Sequence, residues 1–108
     1  MLNSKQRAYL RSLSNGLETI LTVGKSGLNP EIVRQANDAL KARELIKGRV
    51  LETSPVTSSE ASERISTETS AETVQVIGSK FILYRKNEKN PKIILPKRRK
   101  DRKSTRLN

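Results

Sequence analysis

Apolar positions along this chain of 108 residues fall into short runs whose period switches between helical and extended. Asn3 or Ser4 caps a first helix to about Leu13, with Tyr9, Leu10 and Leu13 as its apolar stripe, and Asn15-Gly16 stops it. Thr19-Ile20-Leu21-Thr22-Val23 is short and β-branched, so it reads as a strand that runs into Gly24-Lys25-Ser26-Gly27. Asn29 then caps a second helix that has Pro30 at its first position, where a missing N–H costs nothing. Ile32, Ala36 and Leu40, with Val33 and Ala39 beside them, give that helix one apolar face. Leu45 to Leu51 predicts a second strand with Ile46, Gly48 and Val50 on one side and Lys47 and Arg49 on the other.

Beyond the break at Ser54-Pro55, Thr57 or Ser58 caps a third helix to about Thr69. Only Ala61 and Ile65 anchor it, and Ser and Thr are poor residues for a helix interior. Thr73–Ile77 and Phe81–Arg85 flank Gly78-Ser79-Lys80, a hairpin signal, and Ile93-Ile94-Leu95 is a further short pairing segment before Pro96. The order α-β-α-β-α-β-β predicts an α/β class fold: a single domain over residues 1–96, with three helices on a four-stranded mixed sheet.

Composition narrows the function. The chain has no Cys, His or Trp. It therefore has no disulfide framework, no thiolate metal site and no histidine general base. No acid/base pair stands at a telling spacing, so neither a catalytic residue nor a cofactor nor a metal site is assigned, and the chain reads as a non-enzyme. No apolar run approaches the 18 or so residues of a membrane span and no signal peptide opens the chain, which predicts a cytoplasmic protein. The basic first helix is too short to read as a membrane-surface anchor.

Charge supplies the partner. Lys and Arg total 22 against 11 acids, a formal net charge of +11. Residues 1–51 carry +5, residues 52–79 carry −4 and residues 80–108 carry +10. Signs segregated in this way point to a polyanion, where charge carried only for solubility is usually interspersed. Part of the last block is Lys97-Arg98-Arg99-Lys100, which reads as a phosphate-binding arm or, on composition alone, as part of a solvated, disordered basic tail over 97–108. Residues 101–108 look like one reading frame of a common sequencing-adapter oligonucleotide and are given no functional weight; without them the charge is still +9.

The loop Gly24-Lys25-Ser26-Gly27 is the motif that carries chemistry. Two glycines allow a backbone to approach closely, Lys25 adds a charge, and the following helix aims its N-terminal N–H groups and positive dipole end at the loop. Those groups suit a sugar-phosphate backbone; a plain tight βα turn is the bland reading of the same residues. It is no P-loop, since the required earlier glycine is Thr19. KH domains also use a GXXG loop, but between two helices. Aromatic residues number three (Tyr9, Phe81, Tyr84), too few for a base-stacking platform.

Three stretches, Leu21–Leu28, Ala42–Lys47 and Val74–Arg85, occur in an order and spacing that resemble the bacterial YhbY family, the stand-alone form of the CRM RNA-binding domain. The resemblance implies a fold similar to the C-terminal domain of bacterial translation initiation factor three. It implies association with precursors of the large ribosomal subunit, hence 23S rRNA in pre-50S particles as partner, and RNA contact at Gly24, Lys25, Ser26 and Gly27. Nearby basic side chains join the candidate site by our own reading: Lys5, Arg7 and Arg11 on helix one, Arg34 and Lys41 on helix two. Residues 52–72, rich in Ser, Thr and Glu, depart from the family pattern and leave the packing of helix three open. The expectation is a monomeric RNA-binding protein of ribosome assembly; the alternative is a non-specific nucleic-acid-binding protein.

Overall fold

The computed structural model describes residues 2–87 and residue 93. Asn3 caps α1 (Ser4–Ser14) through a capping box: its side chain accepts from the Gln6 N–H at 2.8 Å, and the Gln6 side chain accepts from the Asn3 N–H at 3.1 Å. β1 (Thr19–Val23) leads to α2 (Pro30–Arg43), with Asn29 as cap and Pro30 opening the helix as expected. β2 (Leu45–Val50) ends one residue before the expected Leu51, yet Leu51 N–H still donates to the Val23 carbonyl at 2.9 Å. Then come α3 (Ser58–Thr69), β3 (Glu72–Ile77) and β4 (Lys80–Tyr84). The expected pairing of Ile93–Leu95 lies outside the described residues apart from Ile93, which is in no strand. The tail over 97–108 lies outside them altogether.

The sheet order is β1-β2-β4-β3, with β1 parallel to β2 and both other pairs antiparallel, so the fold is the α/β mixed sheet that the pattern of elements implies. Strand alternation divides the apolar side chains between two cores. Ile46 and Val50 join Leu21, Val23, Phe81 and Leu83 on one face, under Ala36 and Leu40 of α2 and Ala61 and Ile65 of α3. Leu45, Ile82, Tyr84 and Val74 form the other, under Leu10 of α1. Two bulges adjust this alternation: Ile20 is extra in β1 and Val74 extra in β3.

α3 holds despite its composition because its hydroxyls are used. Ser62 Oγ and Thr73 Oγ1 share a hydrogen bond of 2.6 Å, Ser58 Oγ donates to the Gly78 carbonyl at 2.6 Å, and Thr69 Oγ1 donates to the Ile65 carbonyl at 2.7 Å. Thr57 and Glu60 add a capping box. Buried Ser and Thr are tolerated when every hydroxyl finds a partner.

Two close fits support the sheet. Gly48 lies opposite Phe81, and a Cβ there would be driven into the ring, 2.7 Å from Cε1 and nearer still to Cζ. Glu44 ends α2 at φ +66 and is fully buried. Its carboxylate accepts from the Asn87 and Ile93 N–H groups, each at 2.7 Å, and its carbonyl accepts from Arg85 N–H at 2.9 Å.

Candidate nucleic-acid interface

The two-glycine loop turns at the C-terminal end of β1. Gly27 N–H donates to the Gly24 carbonyl at 2.9 Å, which closes the turn, and Gly27 sits at φ +68, the left-handed region that glycine alone enters freely. Gly24 has no such conformation, and a Cβ there would meet only Leu51 Cδ1 at an ordinary 3.6 Å. A Cβ on Gly27 would lie 2.9 Å from Pro55 Cγ, so this glycine is buried against the segment that follows β2. Between them Lys25 and Ser26 stand exposed at the tip. The geometry is a rigid base with a polar, cationic end.

The helix that follows is less available than its position suggests. Pro30 has no N–H, Ile32 N–H donates to Asn29 Oδ1 at 2.9 Å, and Val33 N–H donates to the Asn29 carbonyl at 3.2 Å. Asn29 thus takes up donors that the sequence offered to a ligand. Arg34 is similarly engaged: its Nη2 lies 2.6 Å from Glu31 Oε1 on the exposed face of α2. The hydrogen bond and charge of Arg34 hold the Glu31 carboxyl below the usual carboxylate range. Arg34 borders an open groove of about 600 Å³ between α2 and α3, shared with Arg64 and Glu68. Lys41 is exposed near the far end of the same helix.

The basic residues of α1 do not join these. Because α1 packs on one face of the sheet and α2 on the other, Lys5, Arg7 and Arg11 are separated from Arg34 and Lys41 by the sheet itself. Lys5 and Arg11 are exposed, whereas Arg7 is half-buried and donates from Nη1 to the Thr73 carbonyl at 2.7 Å, tying α1 to β3. The nine residues therefore form a loop tip and two helix surfaces, not one continuous patch.

Other cations lie on the sheet. Lys47, Arg49 and Lys80 project from β2 and β4 on the α1 side; Arg49 and Lys80 are exposed and Lys47 is half-buried. The alternation in Lys47-Gly48-Arg49 placed two of them opposite the core, but which part of that face a helix covers is a tertiary fact. Among the described residues no three His, Cys, Asp or Glu side chains converge as a metal site, and no helix is long and apolar enough to cross a membrane.

Comparison with known proteins shows the family. The family model for the CRS1/YhbY (CRM) domain matches residues 2–85. The chain belongs to that family. This CRM domain is 38% identical over 96 residues to the Bacillus subtilis protein named "Probable RNA-binding protein YqeI", an overlap of 89% of the chain and all of the relative. It is 34% identical over 97 residues to a Haemophilus influenzae protein named as RNA-binding, covering 90% of the chain and 97% of the relative. A solution structure from Staphylococcus aureus, of a protein described as a candidate RNA binder, superposes with a TM-score of 0.74 at 43% identity. That match spans 89% of the chain and all of the solved one.

Proposed function

We propose that this CRM domain binds precursor large-subunit ribosomal RNA as a monomer in the cytoplasm and assists ribosome assembly without catalysing a reaction. The observation that carries the reading is the Gly24–Gly27 turn, which holds Lys25 and Ser26 out from a backbone fixed by the left-handed Gly27. A lysine and a hydroxyl on a preorganised tip suit phosphate oxygens, which position an RNA without reading its bases. Membership of the family, the RNA-binding names of the relatives and the net charge of +11 support RNA as the polyanion. The ribosomal assignment rests on the resemblance of the three sequence stretches. The non-specific alternative draws on the scarcity of aromatic groups, since Phe81 and Tyr84 are buried.

Crosslinking the protein in cells and sequencing the attached RNA tests both. Enrichment of precursor 23S rRNA at a defined region is the expected result. Reads spread evenly over messengers and ribosomal RNA would leave the non-specific reading in its place.

A further inference from the structure

α1 does not cover its whole side of the sheet. Its core contacts gather around Leu45, Ile82 and Tyr84, and its last residue, Ser14, together with Asn15 borders a small cleft lined by Lys47, Gln75, Ile77 and Lys80. Past that border the face is open: Thr22, Arg49, Lys80 and Ile77 are all exposed, Ile77 to 60%. The register sets these four in one row across all four strands, Thr22 opposite Arg49, Arg49 opposite Lys80, and Lys80 opposite Ile77. Lys47, opposite Ile82 and two residues before Arg49, stands in the next row on the same face.

Within that row lies an unfavourable pair. Arg49 and Lys80 are direct cross-strand neighbours of like charge, an arrangement that destabilises a sheet. None of the Lys47, Arg49 and Lys80 side chains makes a hydrogen bond or ion pair among the described residues. Two adjacent exposed cations, with half-buried Lys47 at the edge of the open face, leave positive charge there that an anion would balance. The face is also continuous with the loop. Thr22 is three residues before Lys25, about 10 Å at the rise of an extended chain.

We infer that the open end of the α1-side sheet face, through Arg49, Lys80 and Lys47, is a second contact surface for the RNA backbone, continuing from the Lys25 loop. It rests on the RNA-binding reading above and sets the path of the strand: around the end of β1 and onto the sheet, instead of along α2, where Arg34 is already paired with Glu31. Ile77 offers an apolar contact to a base or ribose beside the phosphate-binding cations.

The test uses the full chain and a structured large-subunit rRNA fragment, with affinity measured from low to physiological salt. Replacing Lys47, Arg49 and Lys80 together with Gln should reduce the slope of log affinity against log salt by about 2–3, from roughly 0.7–0.9 per phosphate contact. Affinity at physiological salt should fall at least tenfold. The melting temperature should stay level or rise, because the like-charge pair is gone. Lys80→Glu sharpens the outcome: it converts the pair with Arg49 to opposite charges, so it should raise the melting temperature while weakening RNA binding. A steep wild-type slope that the triple variant retains overturns the inference, leaves the RNA-binding reading standing, and hands the face to an acidic protein partner. Absence of RNA binding by the wild type would instead remove the reading beneath it.

Discussion

Gly27→Ala is the most informative single change, because one methyl group meets two obstacles. The backbone at φ +68 disfavours any Cβ, and that Cβ would lie 2.9 Å from Cγ of the rigid Pro55 ring. The first obstacle costs about 1–2 kcal/mol, and forcing an extra carbon into a packed site costs about 1–3 kcal/mol. At about 3 kcal/mol in all, and about 4–8 °C per kcal/mol for a domain of this size, the variant should melt about 12–24 °C below wild type. A cycle separates the two contributions. In a Pro55→Ala background the ring is absent, and Gly27→Ala should cost only the conformational part, about 1–2 kcal/mol. Thermal and urea unfolding followed by circular dichroism give the four stabilities. At a temperature where Gly27→Ala remains folded, its RNA affinity should still be reduced, because the relaxed turn no longer presents Lys25 and Ser26 in one geometry. Equal losses in both backgrounds would refute the Pro55 contact. A melting temperature within about 3 °C of wild type would refute the locked turn itself.

Other expectations follow the same physics. Lys25→Ala leaves the backbone untouched, so its melting temperature should match wild type while the salt slope of RNA binding drops by about 0.7–0.9; an unchanged slope would make the loop a plain turn. Gly48→Ala must displace the Phe81 ring from the main core and should cost about 1–3 kcal/mol or more in urea unfolding. Ser62→Ala strands the Thr73 hydroxyl and should cost about 1–3 kcal/mol, with Thr73→Val in the same chain recovering part of it. Burial, then the Glu44 and Glu72 charges, raise the Tyr84 hydroxyl above its ordinary value. The folded state therefore keeps that proton longer than the unfolded state does, and the stability involved is whole below about pH 10 and lost as pH rises through the raised value. Tyr84→Phe should flatten this alkaline decline in urea midpoints.

Punctuation made the elements legible. Asn3, Asn29-Pro30, Thr57 and Gly78-Ser79 are local signals whose physics is complete within a few residues. The seven elements begin within about a residue of the expected positions, and all but α2, for which no end was expected, also finish within about a residue. The loop was legible for the same reason, as two glycines between a strand and a capped helix. The grouping of charges was not. Lys5 and Arg34 look alike in sequence, and only the side of the sheet on which each helix docks separates them. Arg7 reads as a surface cation, yet a carbonyl of β3, distant in sequence, captures it. Gly48 carried a readable hint, since glycine inside a strand signals close approach, but the Phe81 ring above it depends on a register that sequence alone leaves open. In α3, composition argued against burial, and partners as far away as Thr73 and Gly78 reversed that judgement.

Glu44 has a practical meaning for anyone shortening this chain. Its buried carboxylate accepts hydrogen bonds from the Asn87 and Ile93 N–H groups, 43 and 49 residues further along, so these two residues belong to the folding unit. A truncation after residue 86 would keep every strand and helix of the described residues and still strip two N–H donors from a buried carboxyl group, a loss of the kind that costs about 1–3 kcal/mol or more. Hydrogen bonds to one acid thus tie described residues as far along as Ile93 into the fold, past the last described strand and past the family match, which stops at residue 85.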